Sequence, residues 1–125
     1  MILGHGIDIV EISRFAHWHT YSVKQLSKVF TTQEISYCLS EPIKSAERFA
    51  ARFAAKEAAY KAVCQLDTSF NMPFFSFCKI IEVITTKRDP ILKFSSVDSK
   101  KIYCVRLSLS HSKENAVASV ILFQL

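Results

Sequence analysis

Two acidic residues in this sequence lie where a cation-binding or catalytic carboxylate would be expected. Glu57 belongs to residues 47–62, an alanine-rich stretch without glycine or proline that predicts a strong helix. At about 100° per residue, Glu57 falls roughly 40° from Phe53 on that helix. This places it inside an apolar stripe that comprises Ala46, Phe49, Phe53, Tyr60 and Cys64. A carboxylate that faces a core is costly unless a cation, hydrogen bonds or a metal compensates it.

Asp8 lies on an apolar first strand and shares one face of it with Gly4 and Gly6, the only two glycines of the chain. Because glycine admits a close neighbour, this face predicts contact with a ligand or with another backbone. Taken alone, Asp8 is explained equally well by a purely structural role, in which it ends the strand or caps the helix that follows. Two buried carboxylates on neighbouring elements repel unless one is protonated or a cation lies between them. Together with substrate phosphates, such a pair commonly binds Mg²⁺.

Basic residues surround Glu57 on the same predicted helix, namely Arg48, Arg52, Lys56 and Lys61. They would suit a polyphosphate ligand. The alternative is a solvated helix face on which Glu57 and Lys61 form an ordinary i,i+4 pair. We expect the solvated face to hold Arg48 and Lys56, and the ligand to involve Arg52 and Lys61.

His111 is a further candidate, since it stands between Ser110 and Ser112 at the end of a predicted strand. A histidine flanked by serines can hydrogen-bond a phosphate. A single histidine in a loop is more often simply exposed, so this pattern is weak by itself.

The composition indicates one folded domain, residues 1–125. Half of the residues are hydrophobic and 22% are charged, which argues against disorder. A mean hydropathy of +0.18 in so small a chain favours an oligomer. The net charge of +5 favours an anionic partner, either nucleic acid, a phosphorylated small molecule or an acidic protein.

Four widely spaced cysteines, at positions 38, 64, 78 and 104, predict core thiols in a reducing compartment rather than a zinc site. The first residues run directly into a strand, so we expect no signal peptide. No apolar run is long enough to cross a bilayer. These features predict a cytoplasmic protein without a membrane partner.

Local patterns predict one strand, then helices, then an antiparallel meander, which is the α+β class. Thr31 and Glu34 form a capping box that opens a helix through residue 39. Pro42 then separates this helix from the long one, which extends to about residue 64. Short helices are predicted at residues 13–19 and 22–30, a loop at 67–73 and a turn at 110–115. The predicted strands are residues 2–10, 77–85, 91–94, 102–109 and 116–123. We therefore expect an antiparallel sheet packed against one long helix and several short ones.

These patterns together resemble the holo-[acyl-carrier-protein] synthases, the small 4'-phosphopantetheinyl transferases. The matching pieces cover nearly the whole chain, and the most specific is Arg-Phe-x-x-Lys-Glu-x-x-x-Lys at residues 52–61. The others are Gly-Ile-Asp-Ile-Val-Glu-Ile-Ser-Arg-Phe at 6–15, Phe-Thr-x-x-Glu at 30–34 and Ser-Leu-Ser-His-Ser at 108–112.

The resemblance implies the 4'-phosphopantetheinyl transferase fold and transfer of phosphopantetheine from coenzyme A to a serine of apo-acyl carrier protein, in fatty acid biosynthesis. It implies that Asp8 and Glu57 bind Mg²⁺, and that Lys61 contacts the diphosphate and acts with Glu57 in catalysis. Arg52 and His111 would contact phosphates of the coenzyme. The base that deprotonates the serine is Glu57 or a metal-bound water.

The resemblance also implies a homotrimer with its site between protomers. The acidic carrier protein would dock on Arg14, Lys24 and Lys28. Two departures stand out. No glycine follows Ala62, where the family has a Gly-Thr-Gly-like loop, and Arg88-Asp89-Pro90 replaces a Gly-x-Pro turn. We expect an active enzyme with altered loop contacts.

Two other functions remain open at this point. The first is a basic nucleic-acid-binding module, which would need aromatic residues exposed among surface cations. Phe49 and Phe53 are expected to face inward, so we expect no nucleic-acid partner. The second is an inactive relative that acts as an interaction protein.

Overall fold

The computed structural model describes residues 1–94 and 103–125. The chain begins with strand β1 (Ile2–Glu11), followed by two 3₁₀ turns (Ile12–Phe15 and Trp18–Thr20). Helices α1 (Val23–Leu26) and α2 (Thr32–Leu39) precede a third 3₁₀ turn (Pro42–Lys44) and the long helix α3 (Ser45–Leu66). Helix α4 (Phe74–Cys78) leads to strands β2 (Ile81–Ile84), β3 (Ile91–Phe94), β4 (Cys104–His111) and β5 (Asn115–Phe123). This order confirms the α+β class.

Within the described residues the strands form two antiparallel sheets, one of three strands in the order β1-β5-β4 and one in which β2 pairs with β3. The first strand therefore pairs with the last, with Asp8 opposite Ala118. The expected single meander is wrong in this respect for the part of the chain that the structure describes, where β3 and β4 are not hydrogen-bonded neighbours. Hydrophobic alternation identifies strands but does not say which strands pair.

Helix α3 lies directly on the backbone of β1. A methyl group added to Gly4 would meet the carbonyl of Ala62, and one added to Gly6 would collide with the carbonyl of Ala58. Of the two neighbours expected for the glycine face, the structure therefore shows another backbone. The contact brings the strand that carries Asp8 as close as possible to the helix that carries Glu57.

The buried side of α3 is made of alanines, and it is wider than the predicted aromatic stripe. Seven alanines between residues 50 and 62 are at most 8% exposed, whereas Phe53, Tyr60 and Cys64 are only partly buried. Glu57 is likewise partly buried, so it borders the core rather than facing it. Because alanine side chains are short, β1 and β5 can pack closely against the whole of this buried side of the helix.

Lys56 is completely buried, so its expected place on a solvated face is wrong. Its ammonium group lies 2.7 Å from Oε1 of Glu34, which is also buried. It also donates to the carbonyl oxygens of Val29, Cys78 and Ile81 at 2.7, 3.0 and 3.2 Å. A buried ammonium is tolerated only with such full compensation.

Glu34 completes this polar centre. Its Oε1 accepts a hydrogen bond from the backbone N–H of Thr31 at 2.8 Å, which confirms the predicted capping box. Its Oε2 accepts from the N–H of Val83 at 2.8 Å. One carboxylate thus joins α2, α3 and β2.

The strand predicted for residues 77–85 is wrong at its beginning, because residues 74–78 form α4 and only Ile81–Ile84 form a strand. A short run of buried apolar residues does not distinguish these structures. The aromatic rings of Phe74 and Phe77 pack on Tyr60 of α3, and Lys56 binds the carbonyl of Cys78 at the helix end. The helix is therefore selected by tertiary contacts.

Smaller differences lie at element ends. Residues 13–19 form two 3₁₀ turns rather than one helix, and helix α1 covers only part of residues 22–30. Strands β4 and β5 extend to His111 and from Asn115, so the turn is shorter than predicted. The predicted start of β4 at Ile102 lies outside the described residues.

The four cysteines are free thiols, and no helix in the described part of the chain is long and apolar enough to cross a membrane. Cys38 and Cys78 are wholly buried. Burial raises the pKa of each of these two thiols to about 12. They behave as small apolar core residues.

Candidate active site

The site forms where β1 crosses the C-terminal half of α3. Lys61 Nζ donates to Oδ1 of Asp8 at 3.2 Å and to the carbonyl oxygen of Ile7 at 3.0 Å. The other carboxylate oxygen of Asp8, Oδ2, is buried and has no hydrogen-bond partner within residues 1–94 and 103–125. A buried carboxylate oxygen without a donor is costly, which marks this point as a place for a cation.

Glu57 faces the same point from α3. Partial burial and then the negative charge of Asp8 raise the pKa of Glu57 above its ordinary value, while Lys61 and Arg14 act in the opposite direction. The repulsion shows that the two carboxylates are electrostatically coupled. A divalent cation between them would relieve it.

The chemistry of the donor set fits Mg²⁺. No group of three histidine, cysteine, aspartate or glutamate side chains converges anywhere in the described residues, so a fully protein-built metal site is not present there. Mg²⁺ typically takes one or two carboxylates and completes its octahedron with water and substrate phosphates. Asp8 and Glu57 supply that number of carboxylates.

The raised pKa of Glu57 predicts a pH-dependent stability in metal-free protein. The folded state binds more protons than the unfolded state between the ordinary value of 4.5 and the higher folded-state pKa. The free energy of unfolding therefore falls as pH rises through that window. We expect Glu57→Gln to be at least as stable as the parent at pH 7 with chelator, and this difference to shrink on acidification.

Urea unfolding at neutral and acidic pH measures this effect, and added Mg²⁺ should stabilise the parent more than the variant because ligands stabilise the state that binds them. If Glu57→Gln were less stable than the parent by the same amount at both pH values, Glu57 would be a packing residue rather than a repelled carboxylate.

Arg52 and His111 lie in a second place, a cavity of about 270 Å³ beside the first half of α3. Arg52 is 5% exposed, and its Nη2 donates to Oγ1 of Thr85 at 2.7 Å. Its buried Nε has no partner. His111, the last residue of β4, lies 2.7 Å from a carboxylate oxygen of Glu47. The cavity is suited to an anion.

Tyr37, which the sequence analysis did not single out, organises this cavity. Its ring lies between the guanidinium groups of Arg48 and Arg52, at 4.0 and 4.2 Å from the ring centroid. Arg48 also binds the carbonyl of Tyr37 at 2.9 Å and the carboxylate of Glu41 at 3.0 Å. The expected solvated position of Arg48 is therefore wrong, since its side chain is 12% exposed.

The carboxylate pair with Lys61 and the cavity that contains Arg52 lie on different sides of α3. Lys61 follows Arg52 by nine residues, which is about 13 Å along the helix and roughly half a turn around it. The cavity contains neither Asp8, Glu57 nor Lys61. The structure of one chain therefore brings Asp8, Glu57 and Lys61 together and holds Arg52 with His111 apart from them.

Arg14, Lys24 and Lys28 are exposed on the turn and short helix that follow β1. Of these three residues, Arg14 is the one whose positive charge lowers the pKa of Glu57.

A larger cavity of about 780 Å³ lies elsewhere, lined by apolar side chains such as Phe70, Phe77 and Phe94. None of the predicted site residues lines this cavity, so the reaction is not assigned to it despite its larger volume.

Comparison with known proteins shows the family of the chain. The family model of the 4'-phosphopantetheinyl transferase superfamily matches residues 4–121. The holo-[acyl-carrier-protein] synthase of Clostridium tetani is 37% identical over 124 residues, covering 94% of this chain and 93% of the relative. That of Bacillus cereus strain G9842 is 37% identical over 122 residues, covering 98% and 96%.

A solved structure gives the same result. The holo-(acyl-carrier-protein) synthase of Bacillus anthracis, determined in complex with CoA (3',5'-ADP), aligns with a TM-score of 0.77 at 35% identity. The alignment covers 100% of this chain and 99% of that one.

The fold and the matches define a phosphopantetheinyl transferase. More narrowly, the chain belongs to the holo-[acyl-carrier-protein] synthase family within the 4'-phosphopantetheinyl transferase superfamily.

Proposed function

We propose that this enzyme transfers 4'-phosphopantetheine from coenzyme A to a serine of apo-acyl carrier protein, with Mg²⁺, in fatty acid biosynthesis in the cytoplasm. In this reaction the serine oxygen attacks the β-phosphate of coenzyme A. The bond between that phosphorus and the bridging oxygen breaks, and adenosine 3',5'-bisphosphate leaves. The serine proton passes to a base, for which Glu57 and a metal-bound water are the candidates.

The observation that carries the proposal is the coupled carboxylate pair beside a lysine. Asp8 has a buried oxygen without a partner, and Glu57 has a raised pKa because it is partly buried and repelled by Asp8. Phosphoryl transfer depends on positioning and on neutralising the phosphate charge more than on covalent steps. A cation held by these residues would supply that neutralisation when it is bound.

The remaining residues have distinct roles. Lys61, whose side chain is 51% exposed, is free enough to turn from Asp8 towards a diphosphate. Arg52 and His111 bind phosphates of the coenzyme in their cavity. Because phosphates carry several negative charges, both groups of residues are needed to hold one substrate.

The decisive experiment is incubation of the purified chain with apo-acyl carrier protein, coenzyme A and Mg²⁺. Intact-mass measurement of the carrier should show the added phosphopantetheine, and a carrier whose target serine is replaced by alanine should remain unchanged. If the carrier protein stays unmodified when this protein is added at a concentration usual for an enzyme assay, the proposal is wrong. That result would favour the inactive relative with an interaction role.

We further propose that the chain works as a homotrimer with the substrate site between protomers. Ile7 and Ile9 are 56% and 63% exposed on the face of β1 that points away from α3. In register with them on β5 lie Ser119 and Val117. An exposed apolar sheet face is typical of an interface. A neighbouring copy would also supply the Arg52 cavity that one chain keeps apart from its own carboxylates.

Replacing Ile7 and Ile9 by lysine is expected to convert the trimer to monomer and to remove most transfer activity. Buried lysines at an interface lack compensation. Light scattering should give about three times the 14.2 kDa chain mass for the parent and one times for the variant. The matched control is Phe75→Lys, which charges an equally exposed apolar residue, 60% exposed, on α4. A monomeric parent with full activity would contradict the shared site.

Arg14→Glu is expected to raise the KM for carrier protein about tenfold at low salt and less at moderate salt, because reversing an exposed charge slows association with an acidic partner. The KM for coenzyme A should change less than about twofold. Steady-state rates at two salt concentrations measure both values. The control is Lys79→Glu, an exposed reversal beyond α4. A rise in the coenzyme KM alone would assign Arg14 to the nucleotide and leave docking to Lys24 and Lys28.

A further inference from the structure

The cavity that contains Arg52 and His111 has an additional cation, Arg88, at a position where the family pattern has glycine. Arg88 and Pro90 both line this cavity of about 270 Å³. The replacement of the Gly-x-Pro turn by Arg-Asp-Pro therefore changes the cavity wall rather than a distant loop.

Local hydrogen bonds hold the turn that presents Arg88. Thr86 Oγ1 accepts from the backbone N–H groups of Arg88 and Asp89 at 3.2 and 3.1 Å, and donates to the carbonyl of Asp89 at 2.5 Å. The adjacent Thr85 binds Arg52 of α3 through its hydroxyl at 2.7 Å. Such side-chain bonds to turn backbone favour one conformation. The turn thus fixes the backbone of Arg88 at the wall of the cavity that Arg52 also lines.

Two cations of the cavity, Arg48 and Lys44, and its histidine, His111, already have carboxylate partners. Glu41 lies 3.0 Å from Arg48 and 3.9 Å from Lys44. Glu47 lies 2.7 Å from His111. These pairs leave little positive charge for a ligand unless the ligand displaces a carboxylate.

Among the described residues, Arg52 and Arg88 have no such partner. Arg52 donates only to uncharged oxygens, those of Thr85 and of the Arg48 backbone, and its buried Nε is unsatisfied. The guanidinium of Arg88 has no hydrogen bond or ion pair to any described residue and is exposed. Two guanidinium groups without carboxylate partners in the described residues, one buried and one exposed, therefore line one small cavity.

We propose that Arg88 is a specificity residue that binds, together with Arg52, a phosphate monoester of the substrate. On the proposed function, on which this inference rests, that group is the 3'-phosphate of coenzyme A. A guanidinium offers a planar pair of donors that matches two phosphate oxygens, and a dianionic phosphate uses two such cations well. The enzyme therefore discriminates against nucleotides that lack this phosphate.

Calorimetric titration with adenosine 3',5'-bisphosphate and with adenosine 5'-monophosphate tests this directly, without turnover. Arg88→Ala is expected to raise the Kd of the bisphosphate about tenfold, as for loss of one charged hydrogen-bonding pair, and to leave that of the monophosphate within about twofold. Lys87→Ala is the matched control. It removes the same charge from the same turn, but Lys87 does not line the cavity. Arg88→Lys should lie between parent and Arg88→Ala.

An equal loss for both nucleotides, or no loss for either, would overturn the inference, as would failure of the parent to bind the bisphosphate. A second measurement separates it from the transfer reaction itself. If the parent modifies the carrier protein while Arg88→Ala keeps the parent's preference for coenzyme A over dephospho-coenzyme A, only the role of Arg88 fails. If the bisphosphate binds in an Arg88-dependent way but no carrier is modified, only the transfer function fails.

Discussion

Glu57→Gln is expected to lower kcat/KM for phosphopantetheine transfer by about a thousandfold, which corresponds to roughly 4 kcal/mol of lost transition-state stabilisation. The substitution keeps the size of the side chain but removes one of two charges that face the cation position. Asp8 would remain, with its buried oxygen, as the one carboxylate of the pair. Transfer rates at saturating Mg²⁺, with circular dichroism to confirm the fold, measure the effect.

Glu114→Gln is the matched control, since Glu114 is an exposed glutamate in the turn between β4 and β5. It should keep nearly the full rate. Undiminished transfer by Glu57→Gln at ordinary Mg²⁺ concentrations would remove Glu57 from both the metal and the base roles.

Lys56→Met is expected to destabilise the protein by about 3–5 kcal/mol, because it leaves the buried carboxylate of Glu34 without its cation. The carbonyl oxygens of Val29, Cys78 and Ile81 lose their donor in the same step. Such a loss is a large part of the roughly 5–15 kcal/mol that stabilises a domain. Urea unfolding monitored by the fluorescence of Trp18 gives the difference.

The double variant Lys56→Met, Glu34→Gln keeps the test informative if the single variant is too unstable to purify. It removes both charges and should recover part of the loss, because the penalty comes mainly from the unpaired charge. Lys79→Met, at an exposed position, should change stability little. If the double variant were less stable than the single one, the carboxylate rather than the ion pair would be the main contributor.

Local signals predicted much of the fold because their causes are local. Thr31 and Glu34 lie three residues apart, and their reciprocal hydrogen bonds form as the sequence pattern predicts. Pro42 separates the helices for a similarly local reason. The solvent exposure predicted for Lys56 was wrong because its partners come from four separate segments of the chain. A helical wheel contains no information about those segments. The pairing of β1 with β5 is non-local in the same way.

The candidate site shows the same division. The motif at residues 52–61 identifies Glu57 and Lys61, and the glycine-rich face identifies Asp8. Such patterns suggest that Lys61 and Asp8 are neighbours. The ion pair between them is seen only in the structure. Tyr37 carries no sequence signal of its role, because its ring becomes a platform for Arg48 and Arg52 only when α2 packs on α3.

The antiparallel pairing of β1 with β5 has a consequence for how the protein is made. Synthesis runs from the N-terminus, so Asp8 is made well before the strand opposite it, Asn115–Phe123. Such long-range pairing makes for slow folding and leaves an apolar strand edge waiting for its partner. A nascent chain that stops before β5 therefore exposes the backbone edge of β1 that β5 covers in the folded protein, and an exposed strand edge is a template for aggregation.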